Sequence, residues 1–261
     1  MRFGITVSQI NEVDLAVRAE RLGYDFVWAW DSPMIRSNVW AVLTLVADRT
    51  STIRLGPGVS VPALRMAPVT ANAIATINAI APGRTFLGLG TGNTALRAMG
   101  QLPMKQVDFA EHIRVIKGLL AGDTVEYVAN GITHPIRFQS LELGHVDLDH
   151  RIPIHVGGHT DIAARRAGRL GDGFFPGKGT HDELARSFDI VRETAVAHGR
   201  DPGAIEMTTG GNGVVGGRAL EEAAALQELG VGRVIVPAFL FYRDTAESLA
   251  RYGEEVISRV G

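Results

Sequence analysis

The sequence predicts an α/β protein of the (β/α)8 TIM barrel class, with a short helix-plus-hairpin excursion between the fourth and fifth strands. Three observations carry this. Short apolar runs alternate with helical runs along the whole chain. The apolar runs are continuous where a half-exposed strand would alternate, as parallel strands covered on both faces require. And 261 residues is the size one such barrel occupies.

The strands fall at Arg2–Ser8, Asp25–Trp30, Ile53–Val61, Thr85–Gly90, Ile152–Gly157, Gly173–Pro176, Ile205–Val215 and Arg233–Leu240. The first helical run, Val13–Leu22, ends at Gly23, a residue suited to a helix C-terminus. Val39–Arg49, Pro68–Ile80, Asp161–Leu170, Asp182–His198, Ala219–Leu229 and Thr245–Val260 are the others, with Thr160 an N-cap and Gly171 and Gly230 past helix ends. A helix near Met104–Leu120 and a β-rich stretch Thr124–Phe138 interrupt the rhythm. The Asn130-Gly131 pair there marks a hairpin turn. The rival fold, an open doubly wound sheet, lacks its glycine fingerprint after the first strand. No linker divides the chain, so residues 1–261 read as one barrel domain.

Composition removes several function classes. A net charge of −2 gives no electrostatic footprint for nucleic acid or an anionic membrane. The chain has no cysteine, hence no disulfide, thiolate metal site or thiol nucleophile, and this suits a reducing cytoplasm. No signal peptide or membrane-spanning run is read, so a cytoplasmic protein is expected. The histidines show no metal-binding spacing. His159 is the one expected to function, and His112, His134 and His198 are expected at the surface.

Barrel active sites are built at the C-terminal ends of strands. Asp31 and Ser32 follow the second strand, where a carboxylate serves either as a turn cap or as a partner for a polar ring edge. Gly56-Pro57-Gly58-Val59-Ser60 makes the third strand bend or bulge, and its glycines let a planar ligand approach the backbone. Gly90, Thr91 and Asn93 follow the fourth strand. Gly157-Gly158-His159-Thr160 leads into a helix, an arrangement that presents backbone N–H groups to a phosphate, although Asp161 puts a like charge nearby. Gly177 and Lys178 follow the next strand and suit a second anionic group. There is no nucleophile elbow or P-loop, so an organic cofactor is expected to supply the chemistry.

Four stretches together resemble the luciferase-like family of flavin and deazaflavin oxidoreductases: Gly23 to Asp31; Arg54 to Val59 with Arg65; Ala75 to Gly92; and His155 to Gly158 continuing through Arg165 to Gly173. The resemblance implies a barrel holding coenzyme F420 or, alternatively, FMN over the third strand. It also implies a non-prolyl cis peptide at Gly58–Val59 and a phosphate at Gly157-Gly158. The likeness is nearest to the F420-dependent branch related to methylenetetrahydromethanopterin reductase and F420-dependent glucose-6-phosphate dehydrogenase. By that likeness the activity is hydride transfer between F420 and an organic substrate, with Asp31, Ser32 and Asn93 orienting ring and substrate. An FMN-dependent monooxygenase is the alternative, and a cofactor-binding protein without turnover the third reading. The dehydrogenase has a histidine where this chain has Ser32 and a glutamate where it has Asn93, which puts its acid–base mechanism in doubt here. The family also implies a homodimer and a small-molecule substrate.

Overall fold

A computed structural model describes residues 1–177, 179–238 and 245–260. Eight parallel strands form the sheet: β1 (Arg2–Thr6), β2 (Phe26–Ala29), β3 (Arg54–Pro57), β4 (Leu87–Leu89), β7 (Ile154–Gly157), β8 (Gly173–Phe175), β9 (Glu206–Gly210) and β10 (Arg233–Val236). They are ordered β3-β2-β1-β10-β9-β8-β7-β4. Parallel bridges Leu55–Thr85 and Ser60–Leu89 join β3 to β4 and complete the barrel. The two missing labels are a separate antiparallel hairpin, β5 (Val125–Ala129) with β6 (Ile132–Ile136). Asn130 and Gly131 turn it with φ of 53° and 75°, the left-handed pair that an Asn-Gly sequence favours. The excursion therefore sits where the sequence put it, behind helix α5 (Gln106–Leu120).

Helices α1 (Val13–Arg21), α2 (Val39–Arg49), α3 (Ala67–Ile80), α6 (Asp161–Leu170), α7 (His181–Ala197), α8 (Ala219–Glu228) and α9 (Thr245–Tyr252) follow their strands, and the short α4 (Asn93–Ala98) follows β4. The buried face of α2, for example, is Val39, Val42, Leu43 and Val46, a helical repeat that seats it on the sheet.

Three sequence expectations change. The strand expected over Ile205–Val215 stops at Gly210, because Gly211 takes φ of +155° and a 3-10 turn, Asn212–Val214, follows. Helix α9 widens after Tyr252 into a π-helical turn, Gly253–Ile257, before ending at Ser258–Val260. His112 is 7% exposed: with Phe109, Ile113 and Ile116 it occupies the inner stripe of α5 and is not a surface residue. Among the described residues no helix is long and apolar enough to cross a membrane.

Candidate active site

At the C-terminal mouth of the barrel lies a cleft of about 380 Å³. Its floor is the end of β3. The Gly58–Val59 peptide is cis, as the family resemblance implied. A Cβ at Gly58 would fall 1.7 Å from the Trp28 indole, so only glycine fits against that ring. Trp28 in turn stacks on Phe86 at 5.3 Å and meets Phe175 edge-on at 4.9 Å, so an aromatic layer supports the floor from inside the barrel. Glycines clasp Val59 from both sides. A Cβ at Gly90 would lie 2.5 Å from one Val59 methyl, and one at Gly157 would lie 2.7 Å from the other. The two glycines thus keep side chains off both flanks of Val59, which lines the cleft.

Asp31 fixes the strand beyond the bulge. Its carboxylate is 3% exposed, and Oδ2 accepts from Ser60 Oγ at 3.1 Å, from the Val61 amide at 3.2 Å and from Arg65 Nη1 at 2.6 Å. Oδ1 accepts from Arg65 Nη2 at 3.3 Å. Both oxygens are thus engaged by protein, although Asp31 also lines the cleft. Ser60 points at Asp31, not into the cleft. Ser32 lines the rim, and its hydroxyl has no hydrogen bond among the described residues. Thr91 and Asn93 line the opposite side, where Asn93 Oδ1 accepts from Arg97 Nε at 2.8 Å.

The far end of the cleft is the start of α6. Thr160 is its N-cap, accepting from the Ala163 amide at 3.3 Å. The Gly158 amide donates to Phe175 O, while the amides of His159, Thr160, Asp161 and Ile162 have no acceptor among the described residues. Asp161 does not spoil this end, because its carboxylate is drawn to Arg186 at 2.8 Å and away from the cleft. Gly177 lies in a neighbouring hollow that shares His159, and Lys178 lies outside the described residues.

Arg166, which the sequence reading passed over, also lines the cleft. It is 6% exposed, its Nη2 donates to Gln106 O at 3.2 Å, and its guanidinium covers the Phe109 ring at 4.8 Å. Among the described residues its Nε has no partner. Burial, with Arg169 adding repulsion, lowers its pKa, so the site favours a neutralising anion. Periodicity carried the signal. Arg166 falls three residues after Ala163 and one before Ala167, on the buried stripe of α6.

Fold and cleft define a (β/α)8 barrel whose candidate site is a glycine-walled, flat-floored opening ending at an anion-receptive helix start. The profile of the luciferase-like monooxygenase family matches residues 7–256, and the chain belongs to that family. It is 34% identical over 201 residues to 5,10-methylenetetrahydromethanopterin reductase of Archaeoglobus fulgidus, covering 74% of this chain and 57% of that protein. To the F420-dependent glucose-6-phosphate dehydrogenase of Mycolicibacterium fortuitum it is 34% identical over 211 residues, covering 72% and 60%. The chain therefore spans about three fifths of the length of these relatives. The structure of the coenzyme F420-dependent tetrahydromethanopterin reductase from Methanopyrus kandleri superposes with a TM-score of 0.79 at 20% identity, over 100% of this chain and 99% of that one.

Proposed function

We propose that this chain is an F420-dependent oxidoreductase acting on a small organic substrate at the barrel mouth. The observation that carries the reading is the pairing, within one cleft, of a flat glycine-walled floor with a buried guanidinium whose Nε is unpartnered. A planar ring with a phosphate-bearing arm fits both halves. The F420-dependent glucose-6-phosphate dehydrogenase above supports F420 as that cofactor.

When bound, the deazaflavin supplies the carbon that gives or takes the hydride. The chain's residues do the rest. Gly58, Val59, Gly90 and Gly157 provide the surface for the ring. Arg166, the α6 amides, Gly158, His159 and Thr160 hold the phosphate, with charge-assisted bonds outweighing the helix dipole. Asp31 keeps Ser60 and Val61 in place and so holds the floor. Ser32, Thr91 and Asn93 at the rim orient the substrate. Gly177 and Lys178 are assigned to a further anionic group of the cofactor. The protein is expected to act in the cytoplasm as a homodimer.

The family's description as monooxygenases supports a second reading, an FMN-dependent oxygenation. Separate fluorescence titrations with F420 and FMN decide between them. F420 binding without FMN binding is expected, and tight FMN binding without F420 overturns the proposal. Arg166→Gln should weaken F420 binding about 10–100-fold, the loss of one charge-assisted pair.

A further inference from the structure

The opposite end of the barrel carries a second cluster of charge that the proposed function does not use. Arg2, Arg54, Glu206 and Arg233 are the first residues of β1, β3, β9 and β10, so their side chains converge at the N-terminal mouth. There lies a hollow of about 450 Å³ lined by Arg2, Arg54, Arg151, His155, Asp172 and Glu206, with Arg233 packed beside Glu206.

The carboxylates are already committed. Glu206 receives Arg2 Nη2, and its Oε2 lies 2.7 Å from Arg233 Nε. Asp172 takes Arg151 at 2.6 Å and Arg200 at 3.8 Å. Asp25, the other carboxylate acting on Arg233, accepts from the Phe3 amide at 2.8 Å. Arg54 is left over. Among the described residues its side chain makes no hydrogen bond or ion pair, and its Nε is buried. Arg233, 1% exposed and held between Phe26 and Phe86 at 5.2 Å from each ring, has an unpartnered Nη1. His155, also 1% exposed, lines the hollow with Nδ1 unpartnered.

A partly buried cation without a counter-charge is costly, and crowding Arg54 beside Arg2 and Arg233, which already share Glu206, compounds that cost. The mutual repulsion adds to burial in lowering the pKa of the group. Burial, then Arg54 and Arg2, bring Arg233 down to about 8. Burial and the three arginines together hold His155 neutral. An added anion offsets the repulsion among these cations.

We propose that the N-terminal mouth is a binding site for a doubly charged inorganic oxyanion of phosphate size, held chiefly by Arg54 with Arg2 and Arg151. The planar forks of arginine suit a tetrahedral oxyanion, and the hollow lies at the opposite end of the barrel from the candidate active site. Occupancy would tie the starts of β1, β3 and β7 and stabilise the barrel by mass action.

The test is thermal unfolding of the full chain in phosphate against chloride at matched ionic strength, for the wild type, Arg54→Gln and Arg114→Gln. The wild type should show a saturable rise in midpoint with phosphate. Arg54→Gln should melt at or above the wild type in chloride, since it removes an unpaired cation, and should need at least tenfold more phosphate for half the response. Arg114→Gln, which removes an exposed arginine of α5 that lines neither the hollow nor the active-site cleft, should keep the wild-type response. General salting-out by phosphate raises all three equally and cancels in this comparison. Equal responses in wild type and Arg54→Gln, no response in the wild type, or a response lost in Arg114→Gln instead would each overturn the proposal. Should Arg54→Gln fail to fold, Arg54→Lys replaces it: it keeps the charge, loses the fork, and must still raise the half-saturating phosphate concentration.

Discussion

Replacing Asp31 by asparagine separates two roles open to a carboxylate at the cleft rim, holding the floor and handling a proton. The structure favours the first, because Ser60, Val61 and Arg65 together place four hydrogen bonds on its oxygens. Removing one partner of a buried ion pair costs about 3–5 kcal/mol. Here the Arg65 side chain is 17% exposed and can recover some hydration, which sets the expected loss near the lower bound, about 3 kcal/mol. Asparagine keeps one acceptor oxygen, so Asp31→Asn should lose somewhat less than Asp31→Ala. The assay is urea unfolding of cofactor-free protein, combined in a double-mutant cycle with Arg65→Gln. A coupling energy of about 2 kcal/mol or more is expected for two groups in direct contact. F420 affinity should fall in step, since Ser60 and Val61 follow directly on Val59 at the floor. If Asp31→Asn leaves the unfolding midpoint unchanged while abolishing turnover, the carboxylate is a reacting group and the anchoring argument is wrong.

Three further outcomes follow from the geometry. Gly157→Ala drives a methyl to 2.7 Å from Val59 Cγ1 and should cost about 1–3 kcal/mol in stability, with weaker cofactor binding by titration. An unchanged dissociation constant would show that Val59 is not part of the binding surface. Burial holds the His112 imidazole at about 4, below its ordinary 6.5. A depressed folded-state pKa means the unfolded chain binds more protons in this window, so stability is full above about pH 6.5 and falls towards pH 4, by roughly 2–3 kcal/mol. His155 acts in the same direction. His112→Leu should flatten this part of a stability–pH curve from denaturant titrations, and an unaltered slope would place His112 in contact with water. Gly131→Ala, at φ of 75°, should destabilise by about 1 kcal/mol yet leave F420 affinity unchanged, because the hairpin lies outside the cleft.

Where local chemistry decided the structure, the sequence was readable. The Asn130-Gly131 turn, the Thr160 cap and the glycine-broken end of β3 each rest on backbone preferences of one or two residues. The end of β9 was misread because Gly213-Val214-Val215 prolongs an apolar run past the point where Gly211 turns the chain. His112 and Arg166 were readable in principle. Each sits at an apolar position of its helix repeat, and attention to residue type hid the phase. The clasp of Gly90 and Gly157 on Val59 had no signal in the sequence. Close approach between residues 59, 90 and 157 is a tertiary fact, and a glycine at a strand end looks the same whether it turns the chain or yields room to a neighbour.

That clasp also bears on how such a barrel can diversify. The loops of a (β/α)8 barrel are usually treated as independent units that can be exchanged one at a time. Val59 makes three of them a single module, since a larger residue at position 90 or 157 collides with it and a smaller one at 59 leaves both glycines facing a void. Transplanting the loop after β3, β4 or β7 alone from a relative should therefore fail where exchanging all three together succeeds. Rim positions such as Ser32 and Asn93 lie outside the interlock and are free to change, so new substrates can be explored there while the floor is inherited as a block.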